Sequence, residues 1–407
     1  MMGQKEQKER ARRGRPGTQR GLVWLTVGGR PAGADARLRG GGWGVKRKSH
    51  FSIIGATPNI LLRSSVMRSA ALVLMVVLLC CGVGFADEEL ALKKGDLKVV
   101  FSGLLEAEAS YVGETGRVSA EDYTADIVCA TAQFGLDALL KERLQGKLVL
   151  LWEEDDTEPY DLDEGWLRLN IGKFCVGGGR RYLNFGVFES MFVSDPLTLE
   201  LGETSASAAF FGFEKAGLTV EVLVFNGDVE KADAAPDRLD ALNLGIQWSK
   251  QPITLHLGWV SELAESDGVP DGLTDVDHHV GGVCGFCMVE LGKFKLILEA
   301  VSGLRRYASA DLDVNSDGRG DKPFAWGFEA QLTGLNVKEL GEMGVGLRIE
   351  GAGEVKLPKL RYGVAVGVDV ADGLSVTAET LLWQHDKAVS EGLERGYGFA
   401  LQISYEF

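Results

Sequence analysis

From Tyr397 to Phe407 every second residue is apolar: Tyr397, Phe399, Leu401, Ile403, Tyr405 and Phe407 alternate with Gly398, Ala400, Gln402, Ser404 and Glu406. A period of two places one residue set on each face of a β-strand. The same pattern returns through the chain. Leu218, Val220, Val222 and Val224 carry it, as do Ile253, Leu255, Leu257 and Trp259. So do Phe324, Trp326, Phe328 and Ala330, and the run Leu360, Tyr362, Val364, Val366, Val368 and Val370. No stretch shows a helical stripe, so the chain is read as all-β.

The spacing narrows the choice. Sixteen strands are predicted, over 97–111, 125–139, 147–154, 164–173, 178–189, 207–215, 218–227, 240–250, 253–263, 279–291, 294–305, 323–335, 343–352, 359–370, 374–385 and 397–407. Short turns such as "KAG", "GK" and "DG" alternate with long polar loops such as "EKADAAPDRLD" and "ASADLDVNSDGRGDK". An even number of strands of about ten residues, joined alternately by short turns and long loops, is the pattern of a transmembrane antiparallel up-and-down β-barrel. A soluble sandwich also has short alternating strands, but its second face meets water and is rich in Lys and Glu. Here that face is mostly Gly, Ala, Ser, Thr and Gln with single charges, which suits a wet lumen. Closure follows, because a barrel in lipid leaves no unpaired edge: 397–407 is expected to pair with 97–111, with Phe407 in an aromatic girdle.

Charge divides the chain. Of 43 Lys and Arg and 58 Asp and Glu, residues 1–68 hold 15 and 3, and 69–86 hold none. The remaining 321 residues therefore carry 28 basic and 55 acidic side chains, a net of −27. Such a body argues against nucleic acid as a partner, since that binding needs basic surface. The segment "MRSAALVLMVVLLCCGVGFADEE" from Met67 has a basic start, an apolar run and small residues before Asp87. That is the layout of a secretory signal peptide over 67–86, cleaved after Ala86. Residues 1–66 are Arg- and Gly-rich without periodicity and are read as an extension from a misplaced start, 87–96 as a short periplasmic lead and 97–407 as the barrel. A lead of about ten residues leaves no room for a plug domain.

With a periplasmic N terminus the short turns face the periplasm and the long loops face outside. Loop 191–206 is then the third outer loop, expected by analogy with porins of this size to fold into the pore, bringing Asp195, Glu200 and Glu203 with it. Parity places Arg168, Arg180, Arg348 and Arg361 on the lumen side, with Glu106, Glu108, Glu221, Glu299, Glu329, Glu350 and Glu379. Facing charges of this kind bias which ions pass. In "DLDVNSDGRGD", Asp313, Asn315 and Asp317 precede Gly318 as in the first half of a Ca²⁺ loop, but Phe324 stands where a bidentate Glu would close it. A solvated acidic loop and a weak Ca²⁺ site are both open. "CGFC" at 284–287 has no second pair and would point its cysteines to opposite strand faces. No nucleophile elbow, zinc-binding helix or phosphate loop is present, so no enzyme and no cofactor are expected.

Three segments carry a family likeness: "LWEEDDTEPYDLDEGWLRL" (151–169), "GGGRRYLNFGVFESMFVSDPLTLELGET" (177–204) and "VEVLVFNGD" (220–228). They resemble the LbtU-family siderophore porins. That resemblance implies an outer-membrane barrel of a Gram-negative-type bacterium, lodged among lipid and lipopolysaccharide, that passes ferric siderophore or a similar small solute. It also implies delivery by the barrel-assembly machinery, for which a terminal Phe is a signal, and leaves a homo-oligomer open. A general ion or solute porin without a dedicated ligand, and a structural or adhesive barrel, are the alternatives.

Overall fold

The computed structural model describes residues 91–116, 122–154, 160–231, 239–266, 268–269, 273, 275–338, 341–386, 389 and 393–407. The expected extension over 1–66 and signal peptide over 67–86 lie outside them. Sixteen strands form the sheet. They are β1 (Leu97–Gly116), β2 (Asp122–Leu140), β3 (Leu144–Trp152), β4 (Tyr160–Ile171), β5 (Phe174–Tyr182), β6 (Ser205–Lys215), β7 (Leu218–Phe225) and β8 (Ala241–Lys250), then β9 (Ile253–Val260), β10 (Gly282–Leu291), β11 (Phe294–Gly303), β12 (Phe324–Val337), β13 (Gly341–Gly353), β14 (Leu360–Ala371), β15 (Leu374–Gln384) and β16 (Leu393–Glu406). Each pairs antiparallel with its sequence neighbours, and β16 pairs with β1 through Phe399↔Tyr111, Gln402↔Glu108 and Ser404↔Glu106. The sheet is therefore closed. The lead contributes a short strand, Ala91–Lys94, that folds back on the start of β1.

Phe407 completes the seam. Its N–H donates to Gly103 O at 3.1 Å and its carbonyl accepts from Gly103 N at 3.0 Å. Its ring lies over the bare glycine, where an added Cβ would meet ring carbon at 2.3 Å. An aromatic covering a strand glycine pins register.

The two faces of the sheet are inverted relative to a soluble protein. Outward-facing Leu167, Ile171, Phe174, Phe211, Leu257, Phe294, Leu298, Leu347 and Phe399 are exposed. Inward-facing Glu221, Asn243, His256, Glu299, Glu329, Arg348, Glu350, Arg361 and Glu379 are buried. An apolar belt running round the whole barrel is tolerable only against hydrocarbon. At the short-turn end the connections take two or three residues. Ala216 and Gly217, both at positive φ (53° and 83°), form the turn between β6 and β7, the pairing of dihedrals that matches the twist of a hairpin.

The long-loop end carries most of the packed core. The chain leaves the sheet after Tyr182 and returns at Ser205, and its neck is closed by Leu183 N donating to Thr204 O at 2.9 Å. This third loop, 183–204, contains one helical turn, α1 (Leu197–Gly202), whose Leu197 and Leu201 are fully buried. They join Phe185, Leu223, Leu263, Val276, Val280, Tyr307, Leu312 and Val355 in one cluster. The apolar core thus sits between the loop and one side of the wall, and continues into the neighbouring outer loops. The loop begins earlier than the expected 191–206. Leu183 and Phe185 extend the strand-like alternation of 178–189, but they are buried in this inner core.

Candidate functional site

The third loop runs inside the barrel, so its peptide N–H groups have no strand partner and must be satisfied by the wall. Four inward glutamates on four strands meet them. Glu299 of β11 accepts from Val187 N (3.0 Å), Phe188 N (3.2 Å) and Thr198 Oγ1 (2.9 Å). Glu329 of β12 accepts from Met191 N (3.0 Å) and Ser190 Oγ (2.7 Å). Glu350 of β13 accepts from Leu197 N (2.8 Å), and Glu379 of β15 from Ser194 N (3.2 and 3.1 Å). Hydrogen bonds to ionised acceptors are stronger than neutral ones, so this row of carboxylates fixes the loop backbone along its length.

Two arginines complete the latch. Arg348 donates to Ser194 O (3.0 Å) and Ser194 Oγ (2.6 Å) and lies over the Phe192 ring, 4.2 Å from its centroid. Its Nε is 3.1 Å from the Glu350 carboxylate, a charge contact without hydrogen-bond alignment. Arg361 donates to Glu350 (2.6 Å), to Glu200 (3.3 Å) and to the Asp195 carbonyl. Close approach needs a bare wall. A Cβ on Gly258 would fall 1.7 Å from Phe185 O, and one on Gly245 would fall 2.4 Å from Asn184 O. The buried His256 ring makes its own contact with Phe185 O, at 3.1 Å.

The loop thereby occupies the β8–β15 side and leaves a passage against β1–β5 and β16, a cavity of about 570 Å³. Glu106, Asp163 and Glu406 border it from the wall, and Asp195 and Glu203 from the loop, with Gln133, Tyr182 and Gln402 between them. No Lys or Arg is among the described residues that line it. Asp163 is fixed by Tyr182 Oη (2.5 Å) and Gln133 Nε2 (3.2 Å). Burial in the lumen raises the Asp195 carboxyl well above the ordinary range, and the neighbouring charges of Glu203 and Glu200 add to it. Glu200 is raised as well, mainly by burial, against the pull of Arg361.

Of the residues singled out from the sequence, Asp195, Glu200, Glu203, Arg348 and Arg361 come together. Asp195 and Glu203 face the passage, whereas Arg348 and Arg361 are buried between loop and wall. Arg168 stands apart near the short-turn end, paired with Glu214 and 2.7 Å from Asn170 Oδ1. Arg180 is 3.7 Å from Asp161 and does not border the cavity. Lys147 and Arg181 are likewise each paired with a wall carboxylate, Glu164 and Glu221. Asp313, Asn315 and Asp317 lie in the outer loop between β11 and β12, where their oxygens accept from Asp317 N, Gly318 N and Arg319 N of the same turn. Parity gave Glu106 its side. Asp163, just outside the expected strand 164–173, was not singled out; nor was Glu406, although its parity is that of the lumen face.

A closed sixteen-stranded barrel, apolar outside and polar within, with its third long loop folded inward, has the fold of the outer-membrane porins. Solved structures agree. The outer membrane channel DcaP of Acinetobacter baumannii superposes with a TM-score of 0.57 at 13% identity, over 77% of this chain and 99% of that one. An anion-selective porin from Comamonas acidovorans gives 0.56 at 11% identity, over 76% and 100%. Among curated proteins, a UPF0422 protein of Coxiella burnetii is 26% identical over 309 residues, 71% of this chain and 64% of that protein. A UPF0422 protein of Legionella pneumophila (strain Lens) is 23% identical over 292 residues, 64% of this chain and 54% of its own length. The match thus spans less than two thirds of these relatives. No family model matches the chain.

Proposed function

We propose that this barrel lies in the outer membrane of a Gram-negative-type bacterium and passes small solutes by diffusion, with a preference for cations. The observation that carries the preference is the lining of the passage: five carboxylates from three wall strands and the inner loop, with no basic residue among the described lining residues. A low-dielectric wall of one sign of charge focuses the field and raises the local concentration of counter-ions. The basic side chains of the wall do not cancel it, because Arg168, Arg180, Arg181 and Lys147 each face a carboxylate of their own. Lipid and lipopolysaccharide would cover the outer belt, the barrel-assembly machinery would insert it, and copies of the barrel would associate through that belt as some porins do.

The cargo is the finer question. The resemblance of 177–204 to siderophore porins supports a ferric siderophore, and this segment includes the loop 183–204 that narrows the lumen. An acidic passage favours such a cargo when it is neutral or cationic over one that is strongly anionic. Conductance in planar bilayers tests the channel, and blockade of that current by micromolar ferric siderophore but not by sugars tests the cargo. A current indifferent to both leaves a general cation-preferring porin; absence of any current removes the channel.

A further inference from the structure

One buried group in the wall is left without any partner by the latch and the passage alike. Glu108 of β1 is 2% exposed, and neither carboxylate oxygen has a hydrogen-bond partner. It lies on the inward face one rung from Glu106, which borders the cavity. Across the seam Gln402 of β16 stands opposite Glu108, and Ser404 opposite Glu106. On the other side β2 bulges: Glu106 pairs with Thr131 but Glu108 with Val128, so two residues of β2 oppose one of β1. Such bulges re-aim side chains and gather next to sites. The charges of Glu379 and Glu106 both bear on Glu108. Glu379 accepts the single Ser194 N–H on both oxygens and is held against the loop.

Neither protonation state of Glu108 is satisfied by the protein alone. An ionised carboxylate buried without a partner is costly. A neutral one leaves its hydroxyl without an acceptor, which also costs free energy. Buried polar groups of native proteins are as a rule paired, with protein, ordered water or an ion. We propose that the closing seam holds a hard, oxygen-seeking cation drawn from the passage, ligated by the Glu108 and Glu106 carboxylates and the neutral oxygens of Gln402 and Ser404. An all-oxygen set is the one that Ca²⁺ and similar ions take. Among the described residues no three His, Cys, Asp or Glu side chains converge into a metal cage, so the ion is held weakly and exchanges with the stream, as a station in a channel must.

The proposal deepens the cation-preferring reading, and its test separates the two. Detergent-folded protein is titrated with Ca²⁺ at constant pH, and the unfolding temperature is followed in the wild type, Glu108→Gln and Asp313→Asn. Loss of one of two charged ligands is expected to move the midpoint of the Ca²⁺ response upward by about tenfold or more in Glu108→Gln. Asp313→Asn, in the distant acidic turn, is expected to leave it in place. If Glu108→Gln does not fold, Glu106→Gln carries the same expectation. A midpoint shared by wild type and Glu108→Gln, or a response that follows pH alone, would overturn the site in favour of water or a proton. Binding read this way needs no current, so a Ca²⁺ response in a barrel that fails to conduct would keep the site and remove the channel.

Discussion

Removing the charge of Glu350 tests the latch at its centre. This carboxylate is fully buried, accepts from Leu197 N at 2.8 Å, and lies 2.6 Å from Arg361 Nε and 3.1 Å from Arg348 Nε. Glu350→Gln keeps the shape but leaves two buried guanidiniums short of a counter-charge. Breaking a buried ion pair by removing one partner costs about 3–5 kcal/mol. The exposures of Arg348 and Arg361, 4% and 1%, mean that solvent does little to soften it. Each strand is bonded to two neighbours round a closed sheet, so the loss falls on the loop. The loop is held by hydrogen bonds worth about 0.5–1.5 kcal/mol each, more where the acceptor is charged. The loop is then expected to leave the wall for part of the time. Single-channel current should rise, and protease should cut within 183–204. Electrophoresis without boiling checks that the barrel itself stays folded. Replacing the stranded partner as well, in Glu350→Gln with Arg361→Met, should recover part of the narrow state. Wild-type conductance and wild-type protease resistance in a folded Glu350→Gln barrel would refute the latch.

Further expectations follow from single contacts. Gly258→Ala puts a Cβ where Phe185 O lies 1.7 Å away; it should displace the first half of the loop and raise conductance, and an unchanged current would mean that the loop does not lie on that glycine. The raised Asp195 carboxyl takes up its proton at a higher pH than a free acid, so the passage loses negative charge as pH falls while still above the ordinary carboxylate range. Cation preference should therefore start to decline, as pH falls, before the ordinary carboxylate range is reached, and less so in Asp195→Asn. Glu265, in the outer loop between β9 and β10, accepts from Asp228 N and Val229 N and is pushed up to about 7, mainly by burial. Its folded value lies above its unfolded one, so its contribution to stability is complete below the unfolded value and is lost as pH rises through about 7. Protease cutting of the outer loops should increase from pH 6 to pH 8 and lose that dependence in Glu265→Gln. Arg180→Ala unpairs Asp161 and should strengthen cation preference; an unaltered reversal potential would remove Arg180 from the field of the pore.

The barrel was legible because lipid imposes a strict rule: one face of every strand must be apolar, and the period of two then shows strand, side and closure together. Tyr397 to Phe407 was paired with 97–111 on that ground, and the structure closes the sheet between these two strands, with Tyr397 opposite Gly113 and Glu406 opposite Leu104. The inner loop was legible only in part. Its position as the third long connection followed from counting strands, and the parity of Glu299, Glu329, Glu350 and Glu379 placed the groups that hold it. What they hold was hidden, because a carboxylate that caps a loop amide and one that faces water look alike in a sequence. Leu183 and Phe185 misled for the opposite reason, since burial under the loop asks for the same residues as contact with lipid. Arg348 and Arg361 carry the positive charge expected of a pore wall, and Glu350 stands two residues from the one and opposite the other across a hairpin, yet their loop partners Ser194 and Glu200 lie 154 and 161 residues away and were out of reach of any pattern.

The reversal potential of the wild-type channel across a KCl gradient bears most directly on the whole account. A passage lined by Glu106, Asp163, Asp195, Glu203 and Glu406 should give a potential of the sign that marks K⁺ as the faster ion, and the preference should weaken at high salt as screening shortens the field. A potential of the opposite sign, marking Cl⁻ as the faster ion at low salt, would contradict it.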